Sequence, residues 1–184
     1  MQINSTRLQQ HFEAMSEIGK IGETGTCRPA HTTLEKQGFE LAASWMKQAG
    51  MTTRIDNFGN LIGTLAGKDK SLPVLMMGSH LDSQPYGGRF DGVAGVLCAI
   101  EAVNTLSEKG ITPERTIEVI SFADEEGWRF NKGLFGSRGI LGKLEEGELQ
   151  RADKDGITRA QALKDFGCDI SNFKASEYAP GSIY

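Results

Sequence analysis

An α/β fold follows from three features of the sequence: a capped helical pattern near residues 33–49, a strand–helix–strand pattern over residues 73–122, and two short β-rich runs flanking a tight loop at residues 56–60. The 184 residues, 39% of them hydrophobic, suffice for one domain with its own core and are too few for two large ones. Glycines stand singly between periodic segments, with no repeat or low-complexity tract, so residues 1–184 are expected to form one continuous unit.

Thr32 and Glu35 have capping-box spacing. Leu34, Leu41, Ala42, Trp45 and Ala49 then recur at helical intervals until Gly50, which predicts a helix from about Thr33 to Ala49. Thr52–Ile55 and Leu61–Leu65 read as a strand pair joined by Asp56-Asn57-Phe58-Gly59-Asn60. Pro73-Val74-Leu75-Met76-Met77 is an unbroken apolar run, as expected of a strand covered on both faces, and it leads into Gly78-Ser79-His80. Val93–Leu106 reads as an apolar helix closed by Lys109-Gly110, and Thr116–Phe122 as a second strand running into Asp124-Glu125-Glu126. Such a βαβ unit should be right-handed, with its two strands parallel. Gly133–Gly139 reads as a tight bend, with a substrate-facing loop as the alternative.

That topology turns spacing into proximity. His80 follows one strand, Asp91 precedes the crossover helix, and Glu125 and Glu126 follow the next strand. All three places face the crevice at the carboxyl edge of an open α/β sheet, where ligands bind. One imidazole with several carboxylates is a mixed N/O donor set, suited to Zn²⁺, Mn²⁺ or Co²⁺ rather than to Ca²⁺ or a thiolate-bound metal. Asp82, two residues from His80, is a candidate to fix the orientation of the imidazole. Of the two adjacent glutamates, one can bind a cation while the other takes a proton from water. Each residue also has a plainer role: His80 as a hydrogen-bonded structural histidine, Asp91 as a helix cap, and Glu125-Glu126 as a solvated pair. Their convergence on one edge favours function.

The composition excludes other classes. Twenty Lys+Arg against 24 Asp+Glu, a net charge of -4, leave no basic stripe for a phosphate backbone, so no nucleic-acid partner is expected. Gly88–Gly95 is neither a dinucleotide fingerprint nor a P-loop, and Asp91 would repel phosphate there. Cys27, Cys98 and Cys168 form no CxxC pair and suit a reducing compartment. Cys98 is expected in the helix core, and His11 and His31 as surface or helix-flanking residues. Without a leader-like apolar core near the N-terminus or a membrane-length apolar run, a soluble, cytoplasmic protein with no membrane partner is expected.

Gly78-Ser79-His80-Leu81-Asp82-Ser83-Gln84-Pro85, Gly87-Gly88-Arg89-Phe90-Asp91-Gly92 and Glu125-Glu126-Gly127-Trp128-Arg129-Phe130 resemble the metal-dependent amidohydrolases of the peptidase M20 group. The resemblance is to their hydantoinase/carbamoylase branch: N-carbamoyl-L-amino-acid hydrolase, β-ureidopropionase and allantoate amidohydrolase. It implies a three-layer, zinc-exopeptidase-like mixed sheet flanked by helices, with two divalent ions (Zn, Mn or Co). His80 would bind one ion, Asp91 would bridge both, Glu126 would bind the second, Glu125 would be the general base, and Asp82 would orient His80. The implied reaction hydrolyses a small-molecule N-carbamoyl amino acid to the amino acid, CO₂ and ammonia.

The family pattern also marks what this sequence lacks. Members of the group are about twice as long, carry two further histidine ligands and a lid and dimerisation domain, and form homodimers in the complete form. With only His11, His31 and His80, the chain is expected to be the N-terminal part of a catalytic metallohydrolase domain. Two other readings are a truncated, non-catalytic interaction module and a peptidase or N-acyl-amino-acid deacylase of the same group.

Overall fold

A computed structural model describes residues 2–184. The first helix, α1 (Ser5–Glu17), starts where the Asn4 side chain accepts the Arg7 amide, and it buries His11, Met15 and Ser16. Two short strands follow, β1 (Lys20–Ile21) and β2 (Gly25–Arg28), and then α2 (Thr33–Gln48). The Thr32 hydroxyl caps α2 by accepting the Glu35 amide, while the Glu35 carboxylate reaches one residue further back than a capping box does, to the His31 N–H at 2.6 Å.

The predicted strand pair is β3 (Thr52–Ile55) and β4 (Leu61–Leu65), antiparallel. Asp56 holds the loop between them: one carboxylate oxygen accepts the Phe58 and Asn60 amides at 2.9 Å each, and the other accepts the Asn60 side-chain N–H at 2.8 Å. The βαβ unit comprises β5 (Leu75–His80), α3 (Val93–Glu108) and β7 (Ile117–Phe122), with β6 (Ser83–Gly88) between β5 and α3. β5 and β7 pair in parallel, His80 opposite Phe122, so the carboxyl ends of both strands reach one edge together. Gly78 is required for this pairing, because a Cβ there would collide with the Ile120 backbone.

The larger sheet has the order β3-β4-β7-β5, and a smaller antiparallel sheet has the order β1-β2-β6. Helices α2 and α3 pack on the larger sheet and on each other, and α1 packs on α3. One continuous core results, with Phe39, Met46, Ile62, Val96, Ile100, Val119 and Ile120 buried in it. Arg7 ties α1 to α3 through a 2.7 Å ion pair with Glu101. The chain ends with α4 (Phe135–Ile140), α5 (Arg159–Phe166) and short 3₁₀ turns at Glu148–Gln150 and Phe173–Ser176. Ile183 forms a parallel bridge with Val74, alongside the outer edge of β5.

Four expectations are corrected. β5 is an edge strand with mostly half-buried or exposed residues, not one covered on both faces, because only β7 pairs along its length and Leu75 is 38% exposed. Gly133–Gly139 is not only a bend, since its second half opens α4. Cys98 lies on the exposed side of α3. His11 and His31 are buried: His11 stacks on Trp45 with ring centroids 4.0 Å apart, and His31 sits among Phe130, Phe135 and Phe166. No helix among the described residues is long and apolar enough to cross a membrane.

Candidate active site

The carboxyl edge of β5 and β7 carries the candidate residues. His80 is the last residue of β5, and its Nδ1 lies 3.0 Å from the Asp82 backbone carbonyl. A carbonyl oxygen only accepts, so Nδ1 carries the proton, and Nε2 is the nitrogen directed away from this contact. Nε2 lies 3.4 Å from Glu125 Oε2 and 3.8 Å from Asp91 Oδ1. Gly92, just before α3, lies against the face of the same ring: a Cβ at this position would fall 2.5 Å from three imidazole atoms. Imidazole, Asp91 and Glu125 are therefore close neighbours, as the βαβ topology implies.

Asp82 acts differently from the simplest reading. Its backbone, rather than its carboxylate, makes the closer contact with His80, and carboxylate Oδ1 stands 3.6 Å from Nδ1. The two carboxylate oxygens accept the amides of Glu125 at 3.2 Å and Glu126 at 3.1 Å. Asp82 thus fixes the imidazole with one group and the two glutamates with another. Asp91 does not cap α3: Gly92 occupies the N-cap position with no side-chain cap, and the Asp91 side chain is 67% exposed. Ser83, close in sequence, is engaged structurally, its hydroxyl accepting the Arg28 amide at 3.0 Å.

Negative charge crowds around the single imidazole at this edge. Burial opposes charge on His80, but Asp82 and Glu125 outweigh it and push the imidazole up to about 9. Burial raises the Glu126 carboxyl, His80 opposes this, and the like charges of Asp91, Asp82 and Glu125 raise it further. Glu126 Oε1 is buried without a hydrogen-bond partner. An imidazole nitrogen, clustered carboxylates and an orphaned carboxylate oxygen fit divalent ions in donor type. Among the described residues no group of three or more His, Cys, Asp or Glu side chains is arranged so as to hold a metal ion by itself.

Three supporting residues had no assigned role in the sequence reading. Asn60 accepts the Ala123 amide at 2.8 Å and joins the end of β7 to the Asp56 loop. Asp124 takes a left-handed backbone (φ 50°) and points away from the site to Arg159, 2.6 Å away. Arg159 is fully buried. The signal for its helix was present in the sequence: Thr158 and Gln161 at capping spacing, and Gly167 where α5 stops.

The model of peptidase family M28 matches residues 60–155, just over half of the chain. The N-carbamoyl-L-amino-acid amidohydrolase of Pseudomonas sp. (strain NS671) is 48% identical over 168 residues, covering 91% of this chain and 41% of that protein. Allantoate deiminase of Arabidopsis thaliana is 34% identical over 91% of this chain and 34% of its own length. A crystal structure of a hydantoinase/carbamoylase family amidase from Burkholderia ambifaria superposes with a TM-score of 0.86 at 41% identity, covering 90% of this chain and 41% of that one. The chain spans about two fifths or less of the length of each. By fold, motifs and these likenesses, the chain belongs to the peptidase M28/M20-like hydantoinase/carbamoylase family.

Proposed function

We propose that these residues form part of the catalytic domain of a di-metal amidohydrolase that cleaves the carbamoyl C–N bond of N-carbamoyl amino acids, releasing amino acid, CO₂ and ammonia. The observation that carries this reading is the convergence of Nε2 of His80 with Glu125 and Asp91, while Asp82 holds the backbone of both glutamates. His80 and Glu126 would each hold one divalent ion (Zn²⁺, Mn²⁺ or Co²⁺), and Asp91 would bridge them, with further donors from outside these residues. When bound, such ions polarise a carbonyl and lower the pKa of water. The chain's own contribution is placement and proton transfer. Glu125, 34% exposed and facing the imidazole, accepts a proton from water and delivers it to the departing nitrogen. Asp82 keeps that carboxylate in register with His80. The three free cysteines suit a reducing cytoplasm.

The family model, described by its peptidase activity, favours one second reading, hydrolysis of a peptide or N-acyl bond at the same edge. The discriminating experiment supplies the full-length enzyme that contains these residues with Zn²⁺, Mn²⁺ or Co²⁺ and measures ammonia from N-carbamoyl amino acids and from allantoate, and amine from dipeptides. Ammonia release from the N-carbamoyl substrates is expected, with Glu125→Gln lowering turnover by ~10²-fold or more while metal is retained. Cleavage of dipeptides alone would replace the proposal with the peptidase reading, and near-normal turnover in Glu125→Gln would remove Glu125 from the chemistry.

A further inference from the structure

Glu125 and Glu126 lie on a loop whose two arms are joined by backbone pairing. Residues 123–136 leave β7 and return to α4. The Leu134 amide bonds the Glu125 carbonyl at 2.9 Å, the Phe135 amide bonds the Asp124 carbonyl at 3.2 Å, and the Gly136 amide bonds the Ala123 carbonyl at 2.9 Å. Asp124, Asn131 and Leu134 each take a left-handed backbone there, which aspartate and asparagine adopt readily but which is sterically strained for leucine. Strain of this kind persists only where the surroundings over-determine it.

Arg159 provides that constraint. It enters from the first turn of α5, 35 residues after Asp124, and is fully buried. One guanidinium nitrogen donates to Asp124 Oδ2 at 2.6 Å and to the Lys132 carbonyl at 2.9 Å, spanning the outgoing and returning arms of the loop. The other donates to Glu148 Oε2 at 3.0 Å. The guanidinium carbon lies 4.4 Å from the Phe135 ring centroid and 4.9 Å from that of Phe130, both of which belong to the same loop region. Glu148 is itself paired with Arg138 of α4. No lysine reproduces this fork, because an ammonium cannot reach two planar partners and stack between two rings.

We propose that Arg159 is a positioning residue for the two glutamates. By clasping Asp124 and Lys132 it fixes the loop that sets Glu125 and Glu126 against Asp82 and His80. The inference rests on the metallohydrolase reading of those glutamates for its relevance to turnover, and on the loop geometry alone for its structural content.

The test compares the protein with its Arg159→Met and Arg159→Lys variants, using amide hydrogen exchange and Co²⁺ titration followed by the visible spectrum of the ion. The expected result is selective: exchange at the Glu125 and Glu126 amides rises at least tenfold while Val119 and Ile120 in β7 stay protected, and Co²⁺ affinity falls at least tenfold. Arg159→Lys should fall between parent and Arg159→Met, and it carries the same comparison if the methionine variant does not fold. Unchanged exchange at Glu125 and Glu126 in a folded variant would overturn the proposal, and so would a uniform rise that includes β7. If the full-length protein that contains these residues binds no Co²⁺ while the selective exchange effect is present, the metal reading of the site fails and the clasp stands.

Discussion

The Asp82 carboxylate accepts the backbone N–H of Glu126 at 3.1 Å across 44 positions of sequence, and its second oxygen accepts that of Glu125 at 3.2 Å. Each oxygen accepts one of these two backbone donors, and Oδ1 also lies 3.6 Å from His80 Nδ1. Replacing Asp82 with Ala strands two amides near a buried position, at roughly 1–3 kcal/mol each where water cannot enter. Urea denaturation of Asp82→Ala should show a midpoint lowered accordingly at unchanged m-value, and an unchanged midpoint would show that these bonds contribute nothing.

Asp91 is the opposite case. Its side chain is largely exposed and caps nothing, so Asp91→Ala should keep stability within about 0.5 kcal/mol of the parent. Tight binding of both ions should be lost when the same substitution is made in the full-length enzyme, as read by metal analysis after dialysis. Full metal content in Asp91→Ala would end its assignment as the bridging ligand.

Gly92 and Gly110 have nearly the same backbone angle, φ 66° and 63°, but differ in surroundings. A Cβ at Gly92 meets the His80 ring, while one at Gly110 meets nothing within 4 Å. Alanine at either position carries a left-handed backbone cost of about 1–2 kcal/mol. Only Gly92→Ala should also weaken Zn²⁺ binding, because the methyl must displace the imidazole. Equal Zn²⁺ affinity in the two variants would show that the ring moves without consequence.

His31 gives a pH dependence of definite sign. Burial first, then Arg159 and Arg129, push its imidazole down to about 3, whereas in the unfolded chain it titrates near 6.5. The unfolded state therefore gains a proton that the folded state refuses. The contribution is complete above pH 6.5 and declines as pH falls towards 3, by up to about 1.4 kcal/mol per pH unit. An NMR titration should find the His31 ring shifts flat from pH 7 to 5. His31→Asn, tolerated at the left-handed φ of 55°, should reduce the pH dependence of the urea midpoint over that range. A His31 titration midpoint near 6.5 would refute the buried neutral state.

What could be read in advance divides by the kind of signal. α2 and α3 were legible because their apolar spacing and end residues agree, and the β3–β4 pair because turn residues separate two short β-prone runs. His80, Asp91 and Glu125 could be brought together because β5 and β7 are adjacent and parallel, so sequence order alone set their common edge. β6 was not legible: Ser83-Gln84-Pro85-Tyr86-Gly87-Gly88 has almost no strand preference and is extended because β2 pairs with it. The burial of His11 and the exposure of Cys98 depend on which helix face meets which neighbour, and that of His31, just before α2, on the distant Phe130, Phe135 and Phe166. Arg159 was missed for a related reason, since a buried arginine is recognisable only from its partners, here Asp124, Lys132 and Glu148.

The sheet order β3-β4-β7-β5 has a consequence for how the protein is made. The strand in the middle is the last of the four to leave the ribosome, so β5 waits without its lateral partner while α3 and residues 109–116 are synthesised. During those seconds the nascent chain exposes the apolar edge of β4 and all of β5, an interval in which chaperones have something to hold and neighbouring chains something to pair with. Arrival of Ile117–Phe122 closes both gaps at once and completes the sheet, while the loop that carries the glutamates settles only when Arg159 follows.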